Sequence, residues 1–519
     1  MKRNILFKIT FSTLLVFTLA GCVKEDDLIQ VDPNVATEAS FWKTPEDAVN
    51  GLNAVYGKLC VDGTYMRSTP LLLDLKGDDC RSHSPWSAMA NVGKFNTGIA
   101  DPAIYGWAYE TYYQGIYRAN QVLANVPNIE MDQAVKDRIM GQAYFLRGLY
   151  LFHAVNMFKS VPVPLNYTDL YHPQRTEAEG WAQVIQDFKD AADRLPVSYN
   201  GLTGPDEGMT AGRATKGAAL AYLGKSYLFT KDFTNAEITF KSVIDLNVYS
   251  LVPDYRDNFT ASNENNSESV FEVQFSREAG GVDLSWCCVP IAGWGRTSAR
   301  AITYAPRGFG WTDVQPTWAL FNEFMEEKTI NDEVDPRLNA TILYDGPGVM
   351  LYGNLFSEYY ANNAADLNDL FCRKYQNDET NIDEFDWRSG INERIMRYAD
   401  VLLMYAECLN ENDKTGMAYD YIQMVRDRVN LPNLQTVKPN MNQDEMREQI
   451  AHERYLELAL EGHRFDDIRR WGWLKDPVKL DWLKSRDAEY ETYVVGREFF
   501  PIPQTEVDNN PGTQQNDGY

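Results

Sequence analysis

The strongest constraint on the fold of this chain is a spacing that suits paired helices. Leu223-Gly224 is followed by Tyr227 three residues after the glycine, Ala236 twelve after and Phe240 sixteen after. Small residues at such positions let two helices cross closely, and large ones fill the space between them. A weaker copy runs through Ala406, Leu409, Ala418, Ile422 and Val425, ahead of Pro432. One good and one partial copy do not make an array. They predict helix-pair scaffolding inside a larger, mostly α domain.

Helical periodicity recurs elsewhere. In Glu393 to Asn410, Ile395, Tyr398, Leu402, Tyr405 and Leu409 fall three or four residues apart, as do Ala451, Tyr455, Leu458, Gly462 and Phe465 in Gln449 to Asp467. Ala134 to Phe158 is a third long candidate, ended by Val161-Pro162-Val163-Pro164. Strands are few. Phe271, Val273 and Phe275 alternate with Glu272 and Gln274, which predicts one short half-buried strand.

Charge excludes one large class of partner. The 519 residues carry a formal charge of −25, which becomes −28 if the first 21 residues, with three bases and no acid, are removed. Such a chain repels phosphate backbones, so no nucleic-acid partner is expected. A hydrophobic fraction of 44% with 13% aromatics excludes wholesale disorder.

The N-terminus reads as an address. Lys2 and Arg3 precede an apolar stretch, Ile5 to Leu19, that is too short and too broken for the ~20 residues of a membrane span. Leu19-Ala20-Gly21-Cys22 looks like a bacterial lipobox, in which Cys22 is lipidated and becomes the mature terminus. Residues 1–21 then form the signal peptide and 22–38 an acidic tether opening Val23-Lys24-Glu25-Asp26-Asp27. Residues 39–519 form the main domain, with an N-terminal part of about 39–250 and a C-terminal part of about 265–519. The other cysteines, Cys60, Cys80, Cys287, Cys288, Cys372 and Cys408, have no CxxC or zinc-like spacing. They read as buried thiols or one or two bridges of undetermined pairing.

Four stretches in order behind that lipobox resemble the SusD/RagB family of Bacteroidetes surface lipoproteins. The first is Phe145-Leu146-Arg147-Gly148-Leu149-Tyr150-Leu151-Phe152, running on to Val161-Pro162. The second is Arg397-Tyr398-Ala399-Asp400-Val401-Leu402-Leu403-Met404-Tyr405-Ala406-Glu407. The third spans Glu453-Arg454-Tyr455 through Gly462-His463-Arg464-Phe465-Asp466-Asp467 to Arg469-Arg470-Trp471-Gly472. The fourth is Phe500-Pro501-Ile502-Pro503 with Asn510-Pro511, Gln515-Asn516 and Gly518-Tyr519. The acidic run after Cys22 is similar to the surface-export signal of such lipoproteins. The resemblance implies a fold of tetratricopeptide-like helix pairs supporting an irregular, loop-rich half. It implies a non-catalytic protein that captures ligand, mostly glycan and sometimes peptide. It also implies delivery to a partner SusC-like TonB-dependent transporter in the outer membrane.

Binding chemistry is expected in two long loop regions, about Val61 to Gly106 and about Gly280 to Trp311. A sugar presents an apolar C–H face and a hydroxyl rim, so its site wants a flat ring beside planar polar groups. The ligand-binding candidates are Trp86, Arg81 and Asn91 in the first region, and Trp286, Trp294, Trp311 and Tyr304 in the second. His83, Arg296, Arg300, Arg307 and Phe309 accompany them. Asp78-Asp79 either orients Arg81 or is solvated. No cofactor is expected; a weak candidate for structural Ca²⁺ is the loop Asn377 to Asp386, with Asp378, Glu379, Asp383, Glu384 and Asp386.

The charge cluster Glu453, Arg454, Glu457, Glu461, Arg464, Asp466, Arg469 and Arg470 reads as structural ion pairs and helix-face solvation. Glu457 and Glu461 would share a helix face, but a retaining glycosidase needs carboxyls ~5–5.5 Å apart flanking a cleft. No GxSxG, HExxH or P-loop occurs. Glycan capture is the leading expectation, peptide or glycopeptide capture on the same fold the second, and glycoside hydrolysis a distant third.

Overall fold

Thr44 opens the first helix with a reciprocal cap: its hydroxyl accepts from the Asp47 backbone N–H, and the Asp47 carboxylate accepts from the Thr44 N–H. That helix, α1, is Pro45–Tyr56. The same economy of caps starts α3 (Gln133–Phe158, capped by Asp132), α4 (Glu177–Arg194, capped by Thr176 with Glu179), α5 (Lys216–Phe229, capped by Thr215) and α6 (Phe233–Asp245, capped by Asp232). Between α1 and α3 lies α2, Ala103–Asn125. The computed structural model describes residues 41–206, 208, 211–277, 297–382, 384–386 and 389–519. Cys22 and the tether lie outside the described residues, as do Trp286, Trp294, Arg296 and the Cys287-Cys288 pair. Thr44–Tyr519 form one compact unit.

From α2 to α6 each helix packs on the next. Later in the chain come α7 (Trp318–Glu326), α8 (Tyr398–Glu411), α9 (Thr415–Arg428), α10 (Gln443–Glu457) and α11 (Arg464–Arg470). Helix α6 packs on α8, and α8 on α9 and α10, so the two repeat-like pairs read from the sequence stand side by side. The spacing acts as expected at the α5/α6 crossing. A Cβ on Gly224 would lie 2.7 Å from the Phe240 ring. Helix α3 is buried almost throughout, with the Phe145 ring edge-on to Tyr222 (5.8 Å) and Phe271 (4.8 Å). A helix buried on all sides belongs in the middle of a large core, and its buried charges are paired, Arg138 with Asp206 (2.6 Å) and Arg147 with Asp187 (2.5 Å).

Four short strands matter here: β1 (Cys80–Ser82), β2 (Ser269–Val273), β3 (Val314–Pro316) and β4 (Glu393–Arg397). β1 pairs antiparallel with β3, and β2 with β4. Two expected helices are thereby corrected. Glu393–Arg397 is strand, and the helix begins only at Tyr398. Pairing with β2 and buried partners for the alternating charges override the helical spacing: Arg394 meets Glu272 (3.1 Å) and Glu393 meets Arg300 (3.0 Å). For the same reason β2 is buried on both faces and not half-buried. The helix expected over Gln449 to Asp467 stops at Glu457. Leu460 and Gly462 take left-handed φ of 60° and 76° there. Asp79 accepts from the Leu460 N–H (2.9 Å) and Asp74 from the Gly462 N–H (2.7 Å), which holds the break.

The charge cluster is buried and not solvated. Glu453 and Glu457 have no exposed surface, nor has Arg337, which binds Asp335 (2.8 Å), Glu453 (2.7 Å) and Glu457 (3.1 Å). Arg397 binds Glu268 (2.5 Å), Glu457 (2.9 Å) and Glu461 (2.7 Å). Arg454 joins Asp400 and Asp467, each at 2.7 Å. Cys80, Cys372 and Cys408 are buried free thiols. The Cys60 thiol donates to the Gln274 carbonyl.

Candidate functional site

The β1–β3 ribbon joins the two predicted loop regions. Cys80 pairs with Pro316 and Ser82 with Val314, and beyond the strands the His83 N–H donates to the Asp313 carbonyl (2.7 Å). In an antiparallel pair, the chain leaving β1 and the chain entering β3 lie at the same end. Trp86 follows β1 and Trp311 precedes β3, so the two segments that carry these tryptophans meet the ribbon at the same end.

Trp86 caps the short helix Ser87–Gly93, whose Ala90 N–H donates to its carbonyl (3.0 Å). Its ring lies 5.8 Å from the ring of Trp107 on α2, tilted by 35°. The Arg67 guanidinium sits over both, 5.7 Å from the Trp86 centroid and 6.0 Å from that of Trp107. Arg67 is itself buried and forks onto Asp62 through two hydrogen bonds of 2.8 and 2.7 Å. A desolvated cation fixed by a bidentate partner holds both indoles from one side. Trp86, Trp107 and Trp311 are each half-buried. Partly exposed rings on a rigid support suit stacking against an apolar ligand face.

Polar candidates lie on the short elements either side of Trp86. Arg81 is exposed on β1 opposite Gln315, and Asn91 is half-buried on the Ser87–Gly93 helix. Burial and the neighbouring Asp487 push the Glu489 carboxyl up to about 7, against the pull of Lys94 and Arg81. Burial also raises Asp313, with the Ser84 hydroxyl, Arg67 and His83 acting the other way.

Other candidates fall elsewhere. Tyr304 is 2% exposed; its hydroxyl donates to Asp74 (2.7 Å) and Arg300 lies over its ring. It belongs to the core because the helix Arg300–Tyr304 is drawn in by Arg300, which binds Asp74 and Glu393, each at 3.0 Å. Asp78 and Asp79 are also buried and serve the scaffold, not Arg81. Asp78 holds Arg464 and Arg486, while burial and Asp74 push Asp79 up to about 7. Arg307 pairs with Asp366 (2.6 Å). Phe309 stacks on Tyr352 (4.1 Å, 11°) and adjoins the exposed Tyr359, forming a second aromatic ledge.

In the acidic loop, Asp378 accepts from Arg256 (2.6 Å) and Arg373 (2.8 Å), and Glu384 from Asn377 and Tyr352. Those oxygens already serve protein donors; Asp383 and the Asp386 side chain lie outside what the structure describes, and among the described residues no group of three His, Cys, Asp or Glu is arranged to hold a metal.

Two site residues went unread in the sequence. The first loop region ends at Gly106, one residue short of Trp107. The available signal was Trp107, Glu110 and Gln114 recurring along the solvent side of a helix. Nothing in the sequence singles out Arg67 from the other arginines.

Residues 267–519 match the model of the SusD family, and residues 62–228 match a model described as starch-binding, associating with outer membrane. The SusD-like protein P25 of Formosa agariphila is 26% identical over 98% of this chain and 98% of its own. A SusD superfamily protein from Bacteroides vulgatus has a TM-score of 0.80 at 27% identity, covering 92% of this chain and 100% of that one. A laminarin-binding SusD-like protein has a TM-score of 0.72 at 25% identity, with the same coverage.

Proposed function

Since this chain belongs to the SusD/RagB family, we propose that it is a glycan-binding lipoprotein of the cell surface. Its anchor is a lipid on Cys22, and it associates with the outer membrane and faces the exterior. The observation that carries the binding role is the half-buried Trp86–Trp107 ring pair over Arg67, beside the end of the β1–β3 ribbon that the Trp311 segment also enters. The rings stack on the apolar face of a sugar; Arg81 and Asn91 hydrogen-bond its hydroxyls. Trp286 and Trp294 are proposed to contribute from the same loop as Trp311.

Capture is followed by delivery to a SusC-like TonB-dependent transporter. The chain itself performs no bond chemistry in this reading. Glu457 and Glu461, the acid pair a glycosidase would need, are both buried on Arg397 and have no ligand face. The bare site has modest affinity, because an open surface buries little of its ligand.

The test is a glycan array followed by calorimetry on the chain from Val23 onward, beside a Trp86→Ala variant. Laminarin comes first among the glycans, on the strength of the laminarin-binding relative. Binding that the variant loses is the expected result. Failure on every glycan, with binding to peptides, would replace the ligand class. The partner is tested by detergent extraction of the lipidated protein, which should bring down a large outer-membrane barrel.

A further inference from the structure

Trp107 faces two ways. On one side it adjoins Trp86; on the other it lines a groove of about 810 Å³ along the solvent side of α2. The α2 residues on that floor include Glu110, Gln114 and Tyr117. One wall is the 162–172 loop and the other the segment 503–510, tied together where the Asn510 side chain donates to the His172 carbonyl (2.8 Å). Tyr117 and Tyr171 are 48% and 62% exposed in this groove. A volume of this size is in the range of ligand pockets. From Trp107 to Tyr117 the helix advances about 15 Å, so the groove prolongs the tryptophan surface instead of duplicating it.

The polar lining is acceptor-rich. Glu110 and Glu506 are carboxylates, each with one oxygen accepting from a neighbouring amide, Gln114 (2.8 Å) and Asn510 (2.7 Å), while the Gln114 oxygen accepts from Lys58 and Asn509 adds a further amide oxygen. Among the described residues Arg118 is the one cation of the lining, and it donates to the Ala54 carbonyl (2.7 Å). Sugar hydroxyls are donors that match such a lining, whereas carboxylated or sulfated sugars would meet like charge on a chain of net charge −25. We infer that this groove is a second saccharide subsite, continuous through Trp107 with the Trp86 surface, and that it takes the continuing chain of an uncharged polysaccharide. The inference rests on the glycan reading above.

The experiment uses an array of laminarin, starch, xylan, mannan and alginate with their tri- and octasaccharide fragments. It compares the native chain with a Tyr117→Ala/Tyr171→Ala double variant, both positions being exposed enough to spare the fold, with thermal unfolding as the control. The native chain should bind a neutral octasaccharide at least tenfold more tightly than its trisaccharide. The double variant should close that gap while holding the trisaccharide within twofold. Equal affinity for the two lengths, or a gap that survives the variant, overturns the inference and leaves glycan binding standing. Alginate octasaccharide bound as tightly as the neutral ones overturns the charge argument. If the variant keeps the gap but loses a co-purifying membrane barrel, the groove docks a protein. No binding to any member of the array by the native chain fells both readings.

Discussion

The molecule concentrates its charge in one region and its accessible rings in another. Around Arg337, Arg397 and Glu457, arginines and carboxylates crowd together with almost no solvent contact. Three arginines reach Glu457, at 3.1, 2.9 and 2.5 Å. Burial alone would raise its carboxyl, but Arg428, Arg397 and Arg337 hold it well below the ordinary range. Around Trp86 the inventory is poorer: two indoles on one buried arginine, with an exposed arginine and an asparagine nearby. The first region carries the chemistry an enzyme reader would choose, and it has no surface. The second has surface and little chemistry. Access, more than density of reactive groups, separates a site from a scaffold.

The largest effect should come from breaking the buried region. Arg397→Met leaves Glu268, Glu457 and Glu461 short of a partner, and one-sided disruption of a buried pair costs about 3–5 kcal/mol. Chemical denaturation should show that loss as a lower midpoint. Any glycan affinity should persist in the fraction that remains folded. A variant of unchanged stability that no longer binds glycan would reverse the assignment of the two regions.

A pH titration sharpens the same contrast. His452 on α10 bridges Glu323 (2.9 Å) and Glu327 (2.8 Å). Burial opposes its charge, but hydrogen bonds to both glutamates outweigh it and push the imidazole up to about 9. A raised folded-state value means that the stabilisation is fully present below about 6.5 and is lost as pH rises through 9. Roughly 2 kcal/mol should disappear over that window, after allowance for the partial exposure of the ring. Unfolding free energies measured between pH 6 and 10 should slope downward, and His452→Gln should flatten the slope. An unchanged slope in that variant would assign the titration to another group.

Trp86→Ala probes the other region. Loss of the stacking ring should weaken glycan binding about tenfold, equivalent to about 1.4 kcal/mol. The unfolding midpoint should move little, since Trp107 still covers Arg67. A large loss of stability with unchanged affinity would return Trp86 to the scaffold.

The helix pairs were legible because their signals are local: Gly224 against Phe240 needs only a spacing. The break after Glu457 was not, because the residues that hold it, Asp74 and Asp79, lie hundreds of positions earlier. The same distance hid the fate of Tyr304, whose hydroxyl is claimed by Asp74. Trp86 and Trp311 were legible as rings in loops; that their segments meet one end of the same ribbon needed the β1–β3 pairing, which two three-residue strands do not announce. Arg67 stayed hidden because its role depends on Asp62 and two indoles that no periodicity connects.

The smallest predicted effect decides how the surface divides its work. Arg81 is exposed, and substitution at such a position usually changes stability by no more than about 0.5 kcal/mol. In Arg81→Ala, calorimetry should record an affinity loss of roughly threefold, below that of Trp86→Ala, because an exposed guanidinium exchanges water for hydroxyl at little net gain. Removing it also leaves Glu489 without one of the two cations that favour its charge, so that carboxyl should titrate at a higher pH in the variant than in the native chain. A loss equal to that of Trp86→Ala would mean that hydrogen bonds, and not rings, carry recognition. The contrast between the two regions would then narrow to accessibility alone, since both would be working through arginine.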